Sequence, residues 1–571
     1  MQTMATTEKK NMKPATGWLG FSGPSLGRRG FLGSLAATAA CPAFADGDKP
    51  LIKVGLVTDT HVHTTRASCE RVELAYRLFR DKGVDMIVNC GDIANKFYPE
   101  GYAHYAAIRR ETYPDPATAP RELYVFANHD RMDFPGDDSK NRLAAFPQVK
   151  ELLGIPHEAY DEVVLKGFTF LVFPQFLDFD RYEKTIAKAC AANPGKPVFV
   201  FDHVPPVDTT ENSRAWGCPH RRRILSKFPQ VIDITGHAHG SLRCEQNIWQ
   251  GAFTNVSVAC LAQWAGGFVG RRTPTLQNWN CMVMEIYPTR AVFRRFELKD
   301  RTEIGADAPW TVSWPYDPAT APYAPERLRA AKPVPKFPAG AALAFAPNAA
   351  PFESLSVKFP AATDTDSTFM YRLEIARREA DAWRVFACRE IRGEYHLPPA
   401  ERGATISDDI SAGYFVEGET CRFTVTPVNF WGGEGQPLVA EWTSPPARTV
   451  TRLWEGVPAP ARPGEKFSFR GGASFSFPKG LWEGVPVGTK LRLTADLLLE
   501  QGDVRGVNFM LQSPPDRRRP FGFIHTPKGC SDLRYVEEFT RGRAASPYTF
   551  EIRQGDPGKI LIRRLVLDKL A

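Results

Sequence analysis

Seven residues of metal-ligand type stand just beyond the ends of short apolar runs. Leu51 to Val57 runs into Asp59-Thr60-His61, and Met86 to Val88 into Gly91-Asp92. Leu123 to Phe126 runs into Asn128-His129-Asp130, Pro197 to Phe201 into His203, and Val231 to Ile234 into Gly236-His237-Ala238-His239. Runs of this length read as buried strands, and α/β sheets gather their ligands outside the carboxyl ends of the strands. Asp59, His61, Asp92, Asn128, His203, His237 and His239 are therefore expected to meet. Their mixed nitrogen and oxygen set suits two divalent ions of the Mn, Fe, Zn or Co kind, not soft copper or a calcium cage. Asp59, His61 and His239 would hold one ion and Asn128, His203 and His237 the other. Asp92 would be shared, because one carboxylate can bridge ions about 3.5–4 Å apart. Water between two such ions loses a proton near neutral pH and becomes a nucleophile. Attack on phosphorus then needs a proton donor for the leaving oxygen. His129 is free for that part, and Asp130 could orient its imidazole or raise its pKa.

The elements that must position these residues lie between Leu51 and Leu298. There, apolar β-like runs alternate with helical stretches such as Cys69 to Lys82, where Val72, Leu74, Ala75, Leu78 and Phe79 fall near helical spacing. Such alternation reads as α/β. Residues 301–350 are rich in Pro and Ala, as in Lys332-Pro333-Val334-Pro335, and read as an extended linker. From Phe352 onward β-like runs are separated by turn signals such as Trp431-Gly432-Gly433, which reads as β-sandwich material.

Read together and in order, the five blocks resemble the calcineurin-like metallophosphoesterase superfamily, whose pattern is D-x-H, G-D-x-x-D/N, G-N-H-D/E, H and G-H-x-H. The resemblance implies a four-layer α/β/β/α sandwich over residues 50–300, with a dimetal site at the strand ends and the ligands assigned above. Two positions depart from the pattern. Ala127 replaces the usual glycine, and a positive φ there would cost on the order of 1 kcal/mol and could shift Asn128. Asn95 stands where the purple acid phosphatase branch has a tyrosine ligand, so the purple form is not expected. The D-x-H opening with His61 looks more like the cyclic-nucleotide and glycerophosphodiester phosphodiesterase branches. The implied activity is hydrolysis of a small or polymeric phosphate ester, a diester in preference to a monoester.

Residues 351–447 resemble a fibronectin type III domain, with Cys421 in the place of its corner tyrosine. Pro427 points to an edge or bulge, because proline cannot donate to a fully paired central strand. Residues 450–571 resemble a jelly roll of the carbohydrate-binding-module kind, on strands such as Leu491 to Leu499 and Ile560 to Leu567. Such a domain could contact a glycan, but packing or oligomer contact is favoured.

The first 45 residues resemble a twin-arginine export signal. Arg28-Arg29-Gly30-Phe31-Leu32 is followed by the Ala-rich stretch Gly33 to Ala40 and by Ala43-Phe44-Ala45. This implies export of a folded protein and a periplasmic or extracellular location. Cys41 follows a poor lipobox, so lipid anchoring there is the less favoured variant. Outside this segment the net charge falls from +8 to about +4, too small a surplus on 571 residues for a dedicated nucleic-acid binder. No run of about 18 apolar residues occurs, which argues against a multi-spanning membrane protein. The eleven cysteines form no C-x-x-C pair. Mostly free thiols are expected, with Cys388 and Cys421 placed to pair across one β-sandwich sheet.

Arg221-Arg222-Arg223 reads as a solvated basic face in preference to a substrate-steering patch. His63 reads as a pocket residue or an exposed loop histidine, and Gln263 to Gly267 as a substrate wall or an ordinary loop. Leu-Trp-Glu-Gly-Val-Pro occurs at 453–458 and again at 481–486, without a third copy, so it is not a solenoid repeat. The competing functional reading is a catalytically degenerate binding protein whose β-sandwiches hold a polymer or partner. The complete ligand set opposes it and Ala127 mildly favours it. A serine hydrolase is excluded by the lack of a G-x-S-x-G elbow.

Overall fold

A computed structural model describes residues 49–135, 141–262, 279–348, 352–363, 368–446, 449–456, 468–469, 473–501, 507–513, 516–524, 532–541, 549–554 and 559–570. The twin-arginine segment, Cys41 and Gln263 to Gly267 lie outside the described residues. Among those described, no helix is long and apolar enough to cross a membrane.

Among the described residues, thirteen strands build the first domain: β1 (Ile52–Val57), β2 (Met86–Asn89), β3 (Arg121–Tyr124), β4 (Asp161–Leu165), β5 (Phe168–Val172), β6 (Val198–Phe201), β7 (Val231–Thr235), β8 (Ile248–Gln250), β9 (Thr254–Ser257), β10 (Asn280–Ile286), β11 (Arg290–Glu297), β12 (Thr302–Ile304) and β13 (Trp310–Ser313). One sheet has the order β12-β11-β10-β1-β2-β3, with β13 also paired to β11. The other has the order β4-β5-β6-β7-β9-β8. Within them β1-β2-β3 and β5-β6-β7-β9 run parallel.

Residues alternate between the two faces of each strand, as the period of two requires. Val54, Leu56, Val88 and Met284 of the first sheet share one apolar cluster with Phe170, Phe199, Phe201 and Ile234 of the second. Ile87 and Val283 face the other way, into a cluster with Tyr76 and Phe79 of α1 (Glu70–Lys82) and Tyr102 and Tyr105 of α2 (Pro99–Thr112). Three helices follow: α3 (Asn128–Arg131), α4 (Phe146–Leu153) and α5 (Phe179–Ala192). Next come α6 (Ser213–Trp216) and α7 (Pro219–Leu225). Leu171, Val198 and Val200 pack with Tyr182 and Ile186 of α5 and with Ile224 and Leu225 of α7. Helix α1 shows why the sequence folds locally as it does. Glu70 and Glu73 occupy its first turn, Arg80 and Lys82 its last, and Gly83 ends it in left-handed backbone.

Residues 301–350 are not the extended linker expected from their composition. β12 and β13 extend the first sheet, α8 (Pro325–Ala331) follows, and β14 (Ala344–Asn348) already belongs to the next domain. The eight-residue β11 explains this, since Arg295 to Glu297 pair with β12 and Arg290 to Phe293 with β13.

The second domain sets a three-stranded sheet, β14, β15 (Ser354–Pro360) and β18 (Thr405–Ser411), beside a four-stranded one. The latter has β17 (Ala382–Arg392), β16 (Thr368–Glu379), β19 (Thr420–Asn429) and β20 (Leu438–Thr443) in that order. Leu355, Val357, Tyr371, Leu373, Phe423 and Val425 fill its core. Pro427 lies in β19 past the end of β20, whose pairing stops at Val425–Leu438, so no ladder bond is lost there. Cys388 and Cys421 are free thiols. They sit on β17 and β19 with β16 between them, opposite Glu374 and Arg377. Two strand spacings of about 4.8 Å exceed what a disulfide spans.

Among its described residues the third domain has a five-stranded and a four-stranded sheet. It packs on the second through Val536, which joins that domain's core and donates its N–H to the Tyr414 hydroxyl. The repeated hexapeptide takes two conformations. Leu453 to Gly456 lie in a strand, whereas Leu481 and Trp482 lie in a 3-10 turn. Yet Trp454 and Trp482 both pack edge-on to Phe477, at 5.4 and 5.7 Å between ring centres.

Candidate metal centre

The carboxyl ends of β1, β2 and β3 in one sheet meet those of β6 and β7 in the other. Asp59 Oδ1 lies 3.0 Å from His239 Nε2, 3.7 Å from His61 Nε2 and 3.9 Å from His203 Nε2. The His61 and His239 Nε2 atoms are 3.1 Å apart. Asp92 Oδ2 lies 3.2 Å from His203 Nε2 and 4.0 Å from the Nε2 atoms of both His61 and His129. His203 Nε2 is 3.1 Å from His237 Nδ1. Two ligand groups result, Asp59/His61/His239 and Asp92/His203/His237, with His61/Asp92/His129 between them. Within each group the ligand atoms lie within 4.8 Å of one another.

Each of these two carboxylates keeps one oxygen for the protein and turns the other to the centre. Asp59 Oδ2 accepts from His237 N and from the Thr58 hydroxyl, both at 2.8 Å, and Asp92 Oδ1 accepts from His129 N at 2.9 Å. His203 Nδ1 donates to Cys90 O at 2.8 Å, since a carbonyl can only accept, and this aims Nε2 inward. Asp59, His61, Asp92, His237 and His239 all have positive φ, between 41 and 62°. Backbone of this kind persists where surrounding contacts over-determine it and clusters at functional sites. At Gly91, φ is +108°, and a Cβ there would lie 2.5 Å from His203 Nδ1.

The donor set fits divalent cations. Asp59 Oδ1 and Asn128 Oδ1 are buried without a hydrogen-bond partner among the described residues. Ligand bonds of about 2.0–2.2 Å in tetrahedral or wider coordination place neighbouring ligand atoms roughly 3 Å apart, which is the spacing seen here. Burial raises the Asp92 pKa, but the neighbouring His203 outweighs it and holds the carboxyl at about 2. Burial works against the His203 imidazolium, but Asp92 and Asp59 outweigh it and lift that group to about 9. Burial and then the His203 charge hold His237 at about 3.

The backbone at Ala127 is extended, with φ −129° and ψ −173°, so the alanine carries no left-handed penalty there. Asn128 N donates to Gln175 Oε1 at 2.8 Å. The His129 ring, 28% exposed, donates from Nδ1 to Asn95 O at 2.7 Å and turns Nε2 toward Asp92. Asp130 does not orient that ring. Its buried carboxylate accepts from Ile93 N, Ala94 N, Ala127 N and the Tyr102 hydroxyl, tying the Asp92 turn to the His129 turn. Burial, then the Asp92 charge, pushes its pKa up to about 7. Orientation of His129 falls to the Asn95 carbonyl.

The Arg221–Arg223 run is also not a wholly solvated face. Arg221 is buried and paired to Asp202 at 2.6 Å, Arg222 lies over the Trp249 ring, and only Arg223 is exposed. His63 is exposed, with its ring 6.0 Å from that of Tyr98.

Residues 52–241 match the family model described as calcineurin-like phosphoesterase. These residues form a calcineurin-like phosphoesterase domain. Among solved structures, a dimetal phosphatase from Danio rerio is similar at 12% identity. The match covers 47% of this chain and 100% of that one, with a TM-score of 0.33. A purple acid phosphatase from yellow lupin, Lupinus luteus, is similar at 13% identity over 46% of this chain and 53% of that one, with a TM-score of 0.33. A xylan-binding domain from Paenibacillus barcinonensis is similar at 7% identity over 22% of this chain and 97% of that one, with a TM-score of 0.17. No curated protein matches the chain.

The phosphoesterase domain uses residues that the motif blocks do not mark. The Cys260 thiol lies 3.5 Å from His239 Nδ1 and 3.5 Å from Asp59 O. It follows β9, the parallel neighbour of β7, so its place beyond one more strand end was a usable signal. Trp216, 45% exposed, sets its ring 5.9 Å from and perpendicular to that of His237. No local pattern marks Trp216, because its position depends on the fold of the segment after His203.

Proposed function

We propose that this protein is an exported dimetal phosphoesterase that favours phosphodiesters, with His129 as general acid. The observation that carries this reading is the pairing of two ligand groups, Asp59/His61/His239 and Asp92/His203/His237, at adjoining strand ends. Divalent ions bound there would acidify water and polarise a phosphoryl oxygen. Asp92, between the groups, would serve both ions, and Asn128 Oδ1 would complete the second set.

The chain's own part in the reaction is proton delivery and alignment. Nδ1–H of His129 stays on the Asn95 carbonyl, so the proton available to substrate sits on Nε2, which faces the centre. In-line displacement pushes negative charge onto the leaving oxygen, and transfer from Nε2 neutralises it. Asp92 Oδ1 fixes the backbone beneath that ring. The diester preference rests on the D-x-H form of the first block and on Asn95 in place of a tyrosine. Export rests on the twin-arginine segment with its Ala43-Phe44-Ala45 end, and a periplasmic or extracellular location follows from it.

The test is hydrolysis of bis-(p-nitrophenyl) phosphate beside p-nitrophenyl phosphate by the Mn²⁺-loaded protein, with His129→Ala in parallel. Faster diester turnover is expected, and His129→Ala should lower it less than it lowers turnover of an alkyl diester, because p-nitrophenolate leaves without a proton. Faster monoester turnover would overturn the diester preference, and no turnover of either by a metal-replete protein would overturn the enzymatic reading.

A further inference from the structure

The phosphoesterase domain and the second domain meet through a buried charge. Glu211 lies on the segment between β6 and α7, and its side chain is fully buried. Its Oε2 accepts from Ser241 N at 3.0 Å and from Asn247 Nδ2 at 3.2 Å. Its Oε1 accepts from Arg392 Nη1 at 3.1 Å and from the Tyr395 hydroxyl at 2.5 Å, both groups belonging to the second domain. Arg392 also donates to the Tyr395 hydroxyl. Cys244, Tyr395, Phe430 and Trp431 close an apolar cluster around this contact.

The other end of the contact is the turn that carries two metal ligands. Ser241 stands two residues after His239. Asn212, next to Glu211, has φ 61° and donates from Nδ2 to Ala238 O at 3.0 Å, between His237 and His239. Those two histidines belong to different ligand groups, and both hold left-handed backbone. A buried carboxylate is stable only when charge-assisted hydrogen bonds surround it. Here two of the donors, Arg392 and Tyr395, come from another domain. Without them Oε1 would turn toward the remaining donors or toward water, carrying Asn212 and the Ala238 carbonyl with it.

We infer that Arg392 and Tyr395 are positioning residues of the metal centre, holding the Gly236–Ser241 turn through Glu211, and that the second domain is a working part of the site. This rests on the metal-binding reading of the centre.

The test titrates metal-free full-length protein with Mn²⁺ by calorimetry, alongside the unfolding midpoint of the metal-free form and the kcat and KM of the loaded form. Tyr395→Phe and Arg392→Gln are expected to weaken Mn²⁺ binding about tenfold, the low end for outer partners of metal ligands. They should lower kcat with little change in KM, and Arg392→Lys should recover part of the loss. Lys332→Gln breaks a neighbouring contact, the 2.9 Å pair between the end of α8 and Glu245, and should stay within twofold of the parent. Variants that unfold earlier yet bind Mn²⁺ within twofold of the parent would overturn the inference, leaving a role in domain cohesion alone. If Arg392→Gln does not fold, Tyr395→Phe, which removes a single hydroxyl, decides by the same threshold. A parent that binds no Mn²⁺ would refute the metal reading itself. Normal parent binding beside an unchanged Tyr395→Phe would refute only this inference.

Discussion

Gly91→Ala is the sharpest perturbation of the centre that leaves every ligand in the sequence. Two contributions add. A φ of +108° is backbone that L residues avoid, at about 1–3 kcal/mol. The new methyl would also lie 2.5 Å from His203 Nδ1 and 2.9 Å from the Ala127 Cβ, and relieving such overpacking costs about 1–3 kcal/mol more. The ring must move, which breaks its bond to Cys90 O and turns Nε2 away from Asp92. The variant should lose about 2–6 kcal/mol of stability, and its Mn²⁺ affinity should fall with it. Gly83→Ala is the control, since φ there is +63° and a Cβ would meet nothing within 4 Å. It should cost only about 1 kcal/mol and leave metal binding untouched. Urea unfolding of the metal-free forms and calorimetric Mn²⁺ titration read both quantities. Equal stability losses in the two variants, or a Gly91→Ala protein with parental Mn²⁺ affinity, would refute the steric argument.

His129→Ala should cut kcat by about 10²–10⁴ on an alkyl phosphodiester and by less on a p-nitrophenyl ester, whose leaving group needs no proton. Equal losses on both esters would remove the acid role. Cys260→Ala should weaken Mn²⁺ binding about tenfold by taking away the group beside His239 Nδ1, and an unchanged titration curve would show that the thiol only fills space. Burial, then the Arg392 charge, holds His396 at about 3, below its unfolded value near 6.5. The unfolded chain therefore binds the extra proton, and stability is lost as pH falls from 6.5 toward 3, by about 2 kcal/mol at pH 5. His396→Gln should flatten that acid limb in urea unfolding measured from pH 7 to 5, and parallel slopes for parent and variant would contradict it.

What the sequence showed was local. Each ligand follows an apolar run within a few residues, so β1, β2, β3, β6 and β7 and their terminal residues could be read from short windows. What it hid depends on distant partners. The residues that hold Asp130 include Tyr102 on α2, and the Arg392 that meets Glu211 is 181 positions away. The linker reading failed because β12 and β13 are too short to show a period and form only against the free edge of β11. The Ala127 concern dissolved for the opposite reason, since the backbone there is extended and the left-handed strain sits at Gly91 and the ligands themselves.

The five left-handed ligands also bear on how long a molecule survives. Each costs on the order of 1–2 kcal/mol, which in the metal-free chain only contacts such as His237 N on Asp59 Oδ2 and His129 N on Asp92 Oδ1 offset. Cations that bound only the folded form would restore the balance by mass action, and metal supply would then set the fraction of time that the strand-end turns spend open. Proteases cut open segments. Under metal scarcity a protease is therefore expected to cut the unloaded molecules first, leaving a population enriched in those that carry a complete centre.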